Sequence, residues 1–583
     1  MPAGPGRAPR TGPAGGAGRR GRGTGAALAA RPPSVTNGYI SEWHERVADG
    51  RVMPGAAHRV IVRRDLPVPM RDGVTLLADR YIPAGMVRPP TILIRSPYGR
   101  RGAIGLAYGW AFARRGFQVV LQSCRGTFGS GGEPDPLDEH EDGMATVEWL
   151  RSRPWYGGRF AMHGPSYLGY TQWAVAPYAR DLAAMSVQVA ASQFRDAAYI
   201  GGSFALESSL IWTTLAARLD GPLGRARALL APRLTRRAVR TGRPPHELDL
   251  LSAGRPLPFF RELLTHHADP SAPYWRKRDF SDRVGEVEAA VTLLGGWYDV
   301  FLPWQVKDYL ALRAAGRRPY LTIGPWYHLD VRHWPVAHAE AVAWFRAHLL
   351  GDASGLRANP VRLYVTGADE WQDHPDWPVP GMRPERWHLQ PGFALDRAGP
   401  AGSGPDRFRY DPRSPTPVIG GPVLVGNSEP RDNRPLEARD DVLVYTSPAL
   451  AADVEAIGPV TAEIFVRPSR EHADVVVRVC DVHPDGRSLN VCEGVRRLAP
   501  GVAPPDADGV RRVPVELWPI GHRFRRGHRI RVHVAGGAYP RIARNTGTGE
   551  PLLGGGGTMV PTELEVFHDP RRPSAVILPV VPR

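Results

Sequence analysis

The sequence predicts an α/β core, interrupted by a helical insertion and followed by an all-β region. Three observations lead there. Between residues 73 and 163, short apolar runs alternate with segments of helical spacing, the pattern of a parallel sheet with crossover helices. Residues 191 to 290 break that rhythm: they lean towards helix, lack clear strands and carry basic amphipathic stretches such as Arg225 to Arg240. From about residue 360 the chain turns to short alternating strands with turn signals and no good helix, as in a β-sandwich or jelly roll.

Taken in order, His58 to Val62 and Gly73 to Tyr81 read as extended segments, separated by Pro67, Pro69 and Asp72-Gly73, the punctuation of a hairpin. Thr91 to Arg95 is a buried-strand candidate ending at Ser96-Pro97-Tyr98-Gly99. Residues 104 to 115 have helical spacing, and Phe117 to Leu121 is another strand. Glu139 to Arg151 suits a helix with Met144, Val147, Trp149 and Leu150 on its apolar side, and 159 to 163 form a strand running into Gly164-Pro165-Ser166-Tyr167-Leu168-Gly169. The alternation resumes at Val291 to Gly295 and Tyr320 to Gly324, and a last helix, His338 to Leu350, stops at Gly351. Among the later strands are Val361 to Val365, Thr461 to Val466, Val475 to Val482, Arg529 to Val534, Glu563 to Phe567 and Ala575 to Val580, with Pro484-Asp485-Gly486 as a hairpin turn. The expected division is a disordered Arg/Gly/Ala/Pro-rich tail at 1–35, core at 50–190, helical cap at 191–290, core again at 291–352, and β jelly roll at 360–583.

Composition narrows the function classes. Hydrophobic residues at 42% and charged residues at 23% exclude wholesale disorder and fibrous architectures. The net charge of +16 invites a nucleic-acid partner, but 72 of the 74 basic residues are Arg, with only Lys277 and Lys307 besides, and Ala, Gly and Pro abound. That profile fits a coding bias rather than a basic site, so no nucleic-acid partner is expected. The tail holds Arg7, Arg10, Arg19, Arg20, Arg22 and Arg31 and no acid. Arg19-Arg20 is followed by an apolar stretch of only Ala26 to Ala30, too short for an export signal, so it reads as a leader or a misassigned start. No apolar run reaches membrane length. Cys124, Cys480 and Cys492 have no zinc spacing and imply neither a disulfide framework nor a metal cluster. A cytoplasmic protein without cofactor, metal or membrane partner is expected, possible homo-oligomerisation being left open.

The chemistry gathers at three strand ends. Ser166 follows a strand and precedes a helical stretch, where a sharp turn lifts a hydroxyl above the sheet edge and aims the next amide at a substrate carbonyl. Alone this motif is an ordinary tight turn as readily as a nucleophile, and its second glycine stands one place later than in G-x-S-x-G. A serine nucleophile needs a base and an acid to orient it, in the chain order Ser, Asp, His. Asp299 lies past the strand beginning at Val291, and His328 past the strand beginning at Tyr320. Carboxyl ends of parallel strands are where an open α/β sheet keeps its ligands. Asp299 as a helix N-cap and Asp308 as the acid remain alternatives. The His328, His333 and His338 spacing does not keep three metal ligands on one helix face, and His163 reads as packed. The Tyr167 amide and the Tyr98 phenol are oxyanion candidates, although Tyr98 by spacing alone is equally a packed aromatic.

Ser96-Pro97-Tyr98-Gly99, Cys124-Arg125-Gly126 through Ser130-Gly131, Asp142-Gly143, the Gly164 to Gly169 motif, Gly296-Trp297-Tyr298-Asp299 and Gly324-Pro325-Trp326-Tyr327-His328 together resemble the cocaine-esterase/X-prolyl dipeptidyl-peptidase family, the CocE/NonD hydrolases. The resemblance continues through Asn433 to Glu437 with Leu443 to Thr446, Asp481 to Arg487, and Pro540-Arg541 with Asn545. It implies an α/β-hydrolase core with a helical cap and a jelly roll, and a second glycine placed as it stands here. It also implies Ser166 as nucleophile, Asp299 as orienter, His328 as base, and Tyr98 with the Tyr167 amide as oxyanion hole. Members hydrolyse X-Pro peptides, α-amino-acid esters or simple acyl esters, so a small ester or short peptide is the expected substrate. Asp196 and Glu207 are candidate partners for a substrate amine, alongside ordinary solvated or capping roles. A position often acidic in relatives reads Ser123-Cys124, so any role of that acid is absent or displaced. Acyl transfer or cyclisation through the same triad, and non-catalytic binding, are the alternatives.

Overall fold

The computed structural model describes residues 57–219, 224–266, 269, 271–426 and 428–582. The Arg-rich tail lies outside the described residues. Strands β1 (Val60–Pro69) and β2 (Thr75–Pro83) form the expected antiparallel hairpin. β1 runs on through Pro67 and Pro69 because it is the edge of the sheet, where a missing N–H interrupts no ladder. The sheet continues with β3 (Thr91–Ser96), β4 (Gln118–Ser123), β5 (Phe160–Pro165), β6 (Leu182–Gln188), β7 (Ala290–Tyr298), β8 (Tyr320–Tyr327), β9 (Val361–Val365) and β10 (Glu370–His374), in the spatial order β1-β2-β4-β3-β5-β6-β7-β8-β9-β10. Every pair from β4 to β9 is parallel. β3 and β4 are buried along their whole length, as strands covered on both faces must be. Their period of two sends Ile92, Ile94, Val119 and Leu121 into one apolar layer with Phe112, Phe117 and Phe345, and Leu93 and Val120 into the other with Phe160 and Met162.

Two local departures from expectation have clear causes. The helix expected over 104–115 is a π-helical turn, Gly105–Trp110, followed by Ala111–Ala113. Gly105 and Gly109 lie against Tyr81, whose hydroxyl would be 2.5 Å and whose ring would be 2.6 Å from an added Cβ. Val361 to Val365, expected with the β region, instead joins the core as β9. It pairs parallel with β8 and is extended by β10, so the first sheet claims residues to 374.

Helices α1 (His140–Arg151) and α2 (Tyr167–Trp173) belong to the core. Residues 191–290 carry α3 (Leu206–Leu219), α4 (Ala231–Arg240) and α5 (Pro258–His266), packed around Phe204, Leu210, Val239, Phe260, Leu264 and Trp275. The segment is not free of strand, since Tyr199–Ile200 pairs with Ser203–Phe204 across Gly201-Gly202. The core then resumes with α6 (Leu302–Ala314) and α7 (Trp334–Leu350), the latter ending at Gly351 with φ 77°. The remaining chain builds a second, almost wholly antiparallel sheet, including β11 (Val442–Thr446), β12 (Ala473–Val482), β13 (Ser488–Leu498), β14 (Ile520–Phe524) and β15 (Arg529–Ala535). β12 is buried throughout, between β13 and β15. Gly486, at φ 86°, closes the β12–β13 hairpin as expected. Among the described residues no helix is long and apolar enough to cross a membrane.

Candidate active site

Ser166 stands between β5 and α2 with φ 55° and ψ −124°, a conformation that L-residues rarely hold. Glycines flank it for steric reasons. A Cβ on Gly164, at φ 147°, would fall 2.4 Å from the Leu168 Cβ, and one on Gly169 would fall 2.6 Å from the Ala190 Cβ. The later second glycine therefore lets the first turn of α2 press against the chain leaving β6. The tight turn also sets Tyr167 at the start of α2, where its amide has no acceptor within the helix.

The serine hydroxyl lies 2.9 Å from His328 Nε2, and His328 Nδ1 lies 2.9 Å from Asp299 Oδ2. These two residues leave the ends of β7 and β8, which are neighbours paired at Gly296–Gly324 and Tyr298–Tyr327. Asp299 is fully buried. Its other oxygen accepts the Phe301 amide at 2.6 Å, and its main-chain carbonyl accepts the Trp518 indole at 2.9 Å. Asp308, the alternative acid, is turned elsewhere: it accepts the Ser192 amide at 2.8 Å and the Ser192 hydroxyl at 2.6 Å. Burial pushes its carboxyl up to about 7, against those two hydrogen bonds. His163 packs among Phe112, Phe345 and His338, and burial keeps it neutral. His333 is buried against Trp326, and His338 bridges the Trp334 and Ala107 carbonyls, so neither joins His328 as a ligand set.

Tyr98 lies near the Ser166 side chain. Its phenolic oxygen accepts the Trp212 indole N–H at 2.9 Å, and burial pushes the phenol up to about 12, so it is a protonated donor at neutral pH. Trp212 also stacks on Tyr167, with centroids 5.9 Å apart and 9° between the planes. The Tyr167 hydroxyl donates to Glu139 at 2.7 Å, and Glu139 pairs with the buried Arg95 at 2.8 Å. Cys124 is buried beside this carboxylate. Trp212 was not visible to sequence reasoning, because a tryptophan on a helix of the insertion carries no mark of what it will touch.

A cavity of about 80 Å³ opens at Ser166 and His328, lined by Phe194, Trp212, Phe259, Phe301 and Leu424 among others, and by no carboxylate. Asp196 and Glu207 do not reach it. Asp196 pairs with its neighbour Arg195 on a separate groove of about 810 Å³, and Glu207 is buried, which raises its carboxyl to about 7 against the pull of Arg236. Two groups with metal-ligating atoms occur among the described residues, Glu437/Cys480/His533 and Asp481/His483/His528, and neither contributes to this cavity. The spacing of the three cysteines gave no sign of the first.

A serine–histidine–aspartate relay at the carboxyl ends of a mixed sheet in this order is the arrangement of α/β-hydrolase serine hydrolases. Residues 72–330 match the X-Pro dipeptidyl-peptidase S15 family, and residues 354–577 match the X-Pro dipeptidyl-peptidase C-terminal non-catalytic domain. The chain is 31% identical to the cocaine esterase of Rhodococcus sp. (strain MB1 Bresler), over 90% of this chain and 99% of that one. Its fold is similar to that of an α-amino acid ester hydrolase (TM-score 0.75, 21% identity, covering 90% and 97%) and of a CocE/NonD family hydrolase from Staphylococcus aureus (TM-score 0.64, 16% identity, covering 90% and 94%). The chain belongs to this CocE/NonD family of S15-related enzymes and is a serine hydrolase.

Proposed function

We propose that this chain hydrolyses carboxylic esters with a compact apolar acyl group, with Ser166 as nucleophile, His328 as general base and Asp299 as its orienter. The single observation that carries the reading is the Ser166 hydroxyl, bonded to His328 at 2.9 Å and facing a small aromatic cavity without a carboxylate. His328 takes the serine proton as the oxygen attacks the ester carbon. The oxyanion is held by the Tyr98 hydroxyl and the Tyr167 amide. His328 then passes the proton to the departing alkoxide, and water, activated by the same ring, cleaves the acyl-enzyme to the acid and restores Ser166. Residues 191–290 act as the cap that supplies Trp212 and Phe259, and the C-terminal sheet as the support of the Asp299 loop.

An ester fits better than an X-Pro peptide or amino-acid ester, whose ammonium group would enter an apolar cavity without a counter-charge at a cost of several kcal/mol. The Rhodococcus relative is likewise named for an ester. A short-chain or benzoyl nitrophenyl ester, an amino-acid nitrophenyl ester and an X-Pro anilide, assayed side by side, test this. The expected result is kcat/KM at least ~10-fold higher for the first, worth about 1.4 kcal/mol of transition-state preference, and none of it left in Ser166→Ala. Undiminished hydrolysis by the alanine variant, or preference for the anilide, overturns the proposal.

A further inference from the structure

A second cavity, of about 580 Å³, lies where the C-terminal sheet meets the ends of β7 and β8, with Tyr298 and Pro325 in its wall. At one side Asp481, at the end of β12, is ringed by three imidazoles that belong to no part of the serine relay. Its Oδ2 lies 3.1 Å from His528 Nδ1, 3.3 Å from His522 Nε2 and 3.7 Å from His483 Nε2. The ligand atoms of Asp481, His483 and His528 fall within 4.8 Å of one another. Atoms bound at about 2.0–2.2 Å around a tetrahedral ion stand about 3.4 Å apart, so these separations bracket the spacing of a coordination shell.

The Thr366 hydroxyl donates to the Gly521 carbonyl at 3.0 Å, and its oxygen lies 2.8 Å from His522 Nδ1. The other ring nitrogen of His522, Nε2, lies 3.3 Å from Asp481 Oδ2. His483 remains a quarter exposed to the cavity, which leaves an ion a way in. The other cluster differs: Arg531 already neutralises Glu437, and Cys480 and His533 are buried.

We propose that Asp481, His483 and His528 form a binding site for one divalent transition-metal ion of the zinc type, with His522 beside the same carboxylate. Imidazole and carboxylate donors suit Zn²⁺, and a three-residue set leaves a position for water. The site is independent of the ester-hydrolase reading.

The test is titration of the full chain, freed of metal by chelator, with ZnCl₂ alone, followed by calorimetry and by metal analysis after equilibrium dialysis. Wild type is expected to bind one equivalent saturably, and His328→Ala to bind it equally, which separates this site from the serine relay. His483→Ala and Asp481→Asn are expected to weaken binding at least tenfold, with Zn²⁺ raising the melting temperature of wild type but not of His483→Ala. His483→Ala should keep ester hydrolysis, showing that it folds. No saturable binding by wild type, or binding by both variants as tight as wild type, overturns the proposal.

Discussion

Tyr98→Phe removes one oxygen and leaves the ring in its packing, so it isolates what the phenol does. That oxygen sits between Ser166 and the Trp212 indole, and burial fixes it as a hydrogen-bond donor. If the phenol holds the developing oxyanion, its loss should lower kcat by about 10²–10³, or about 2.7–4 kcal/mol. KM should stay nearly constant, because the negative charge exists only after attack begins. The indole N–H loses its acceptor, which lowers stability by about 1–3 kcal/mol and is read separately by denaturant unfolding. Trp212→Phe is the companion: the phenol stays but loses the donor that aims and polarises it, for a fall in kcat of about tenfold. Steady-state hydrolysis of a nitrophenyl acyl ester, with active sites counted by fluorophosphonate titration, measures both. A Tyr98→Phe enzyme within ~3-fold of wild-type kcat, or one whose whole defect lies in KM, would refute the reasoning.

Asp299→Asn keeps the shape of the loop but no longer fixes the His328 tautomer, and should lower kcat by about 10⁴; a residual rate within tenfold of wild type would point to another acid. Asp308 gives a pH prediction. Its carboxyl is pushed up to about 7 in the folded protein, so the folded state binds that proton more tightly than the unfolded chain does, and its contribution is present below about pH 4 and lost as pH rises through 7. Asp308→Asn should therefore flatten the fall in stability between pH 4 and 8, by at most on the order of 4 kcal/mol, in urea unfolding series; an unchanged slope would dismiss Asp308 as its source.

The parts of this molecule written locally could be read from residues alone. Ser166 between two glycines, and Asp299 and His328 each just past an apolar run, are short-range patterns set by the geometry of strand ends. The sheet followed from alternating runs for the same reason. What escaped notice depends on convergence of distant chain. Trp212 meets Tyr98 across 114 residues, and His528 meets Asp481 across 47. Neither pair has a spacing that a tertiary fold could not equally have kept apart. The amine-anchoring candidates fall to the same cause: Asp196 and Glu207 stand near the start of the insertion, yet Asp196 lines the separate groove, Glu207 is buried, and neither lines the cavity at Ser166. The strand at Val361–Val365 alternates as any half-buried strand does, and only the free edge of β8 decides which sheet takes it.

The indole of Trp518, 219 residues beyond Asp299, closes the last hydrogen bond on that loop's main chain. At ~5–20 residues per second of synthesis, the loop waits on the order of tens of seconds for this partner to be made. Ser166, Asp299 and His328 have all been made by residue 328, but the Trp518 brace on Asp299 arrives near the end. The C-terminal sheet thus acts as a clock as well as a scaffold. If the triad works as proposed, a nascent chain carries Ser166 through most of its synthesis before the Asp299 loop is braced.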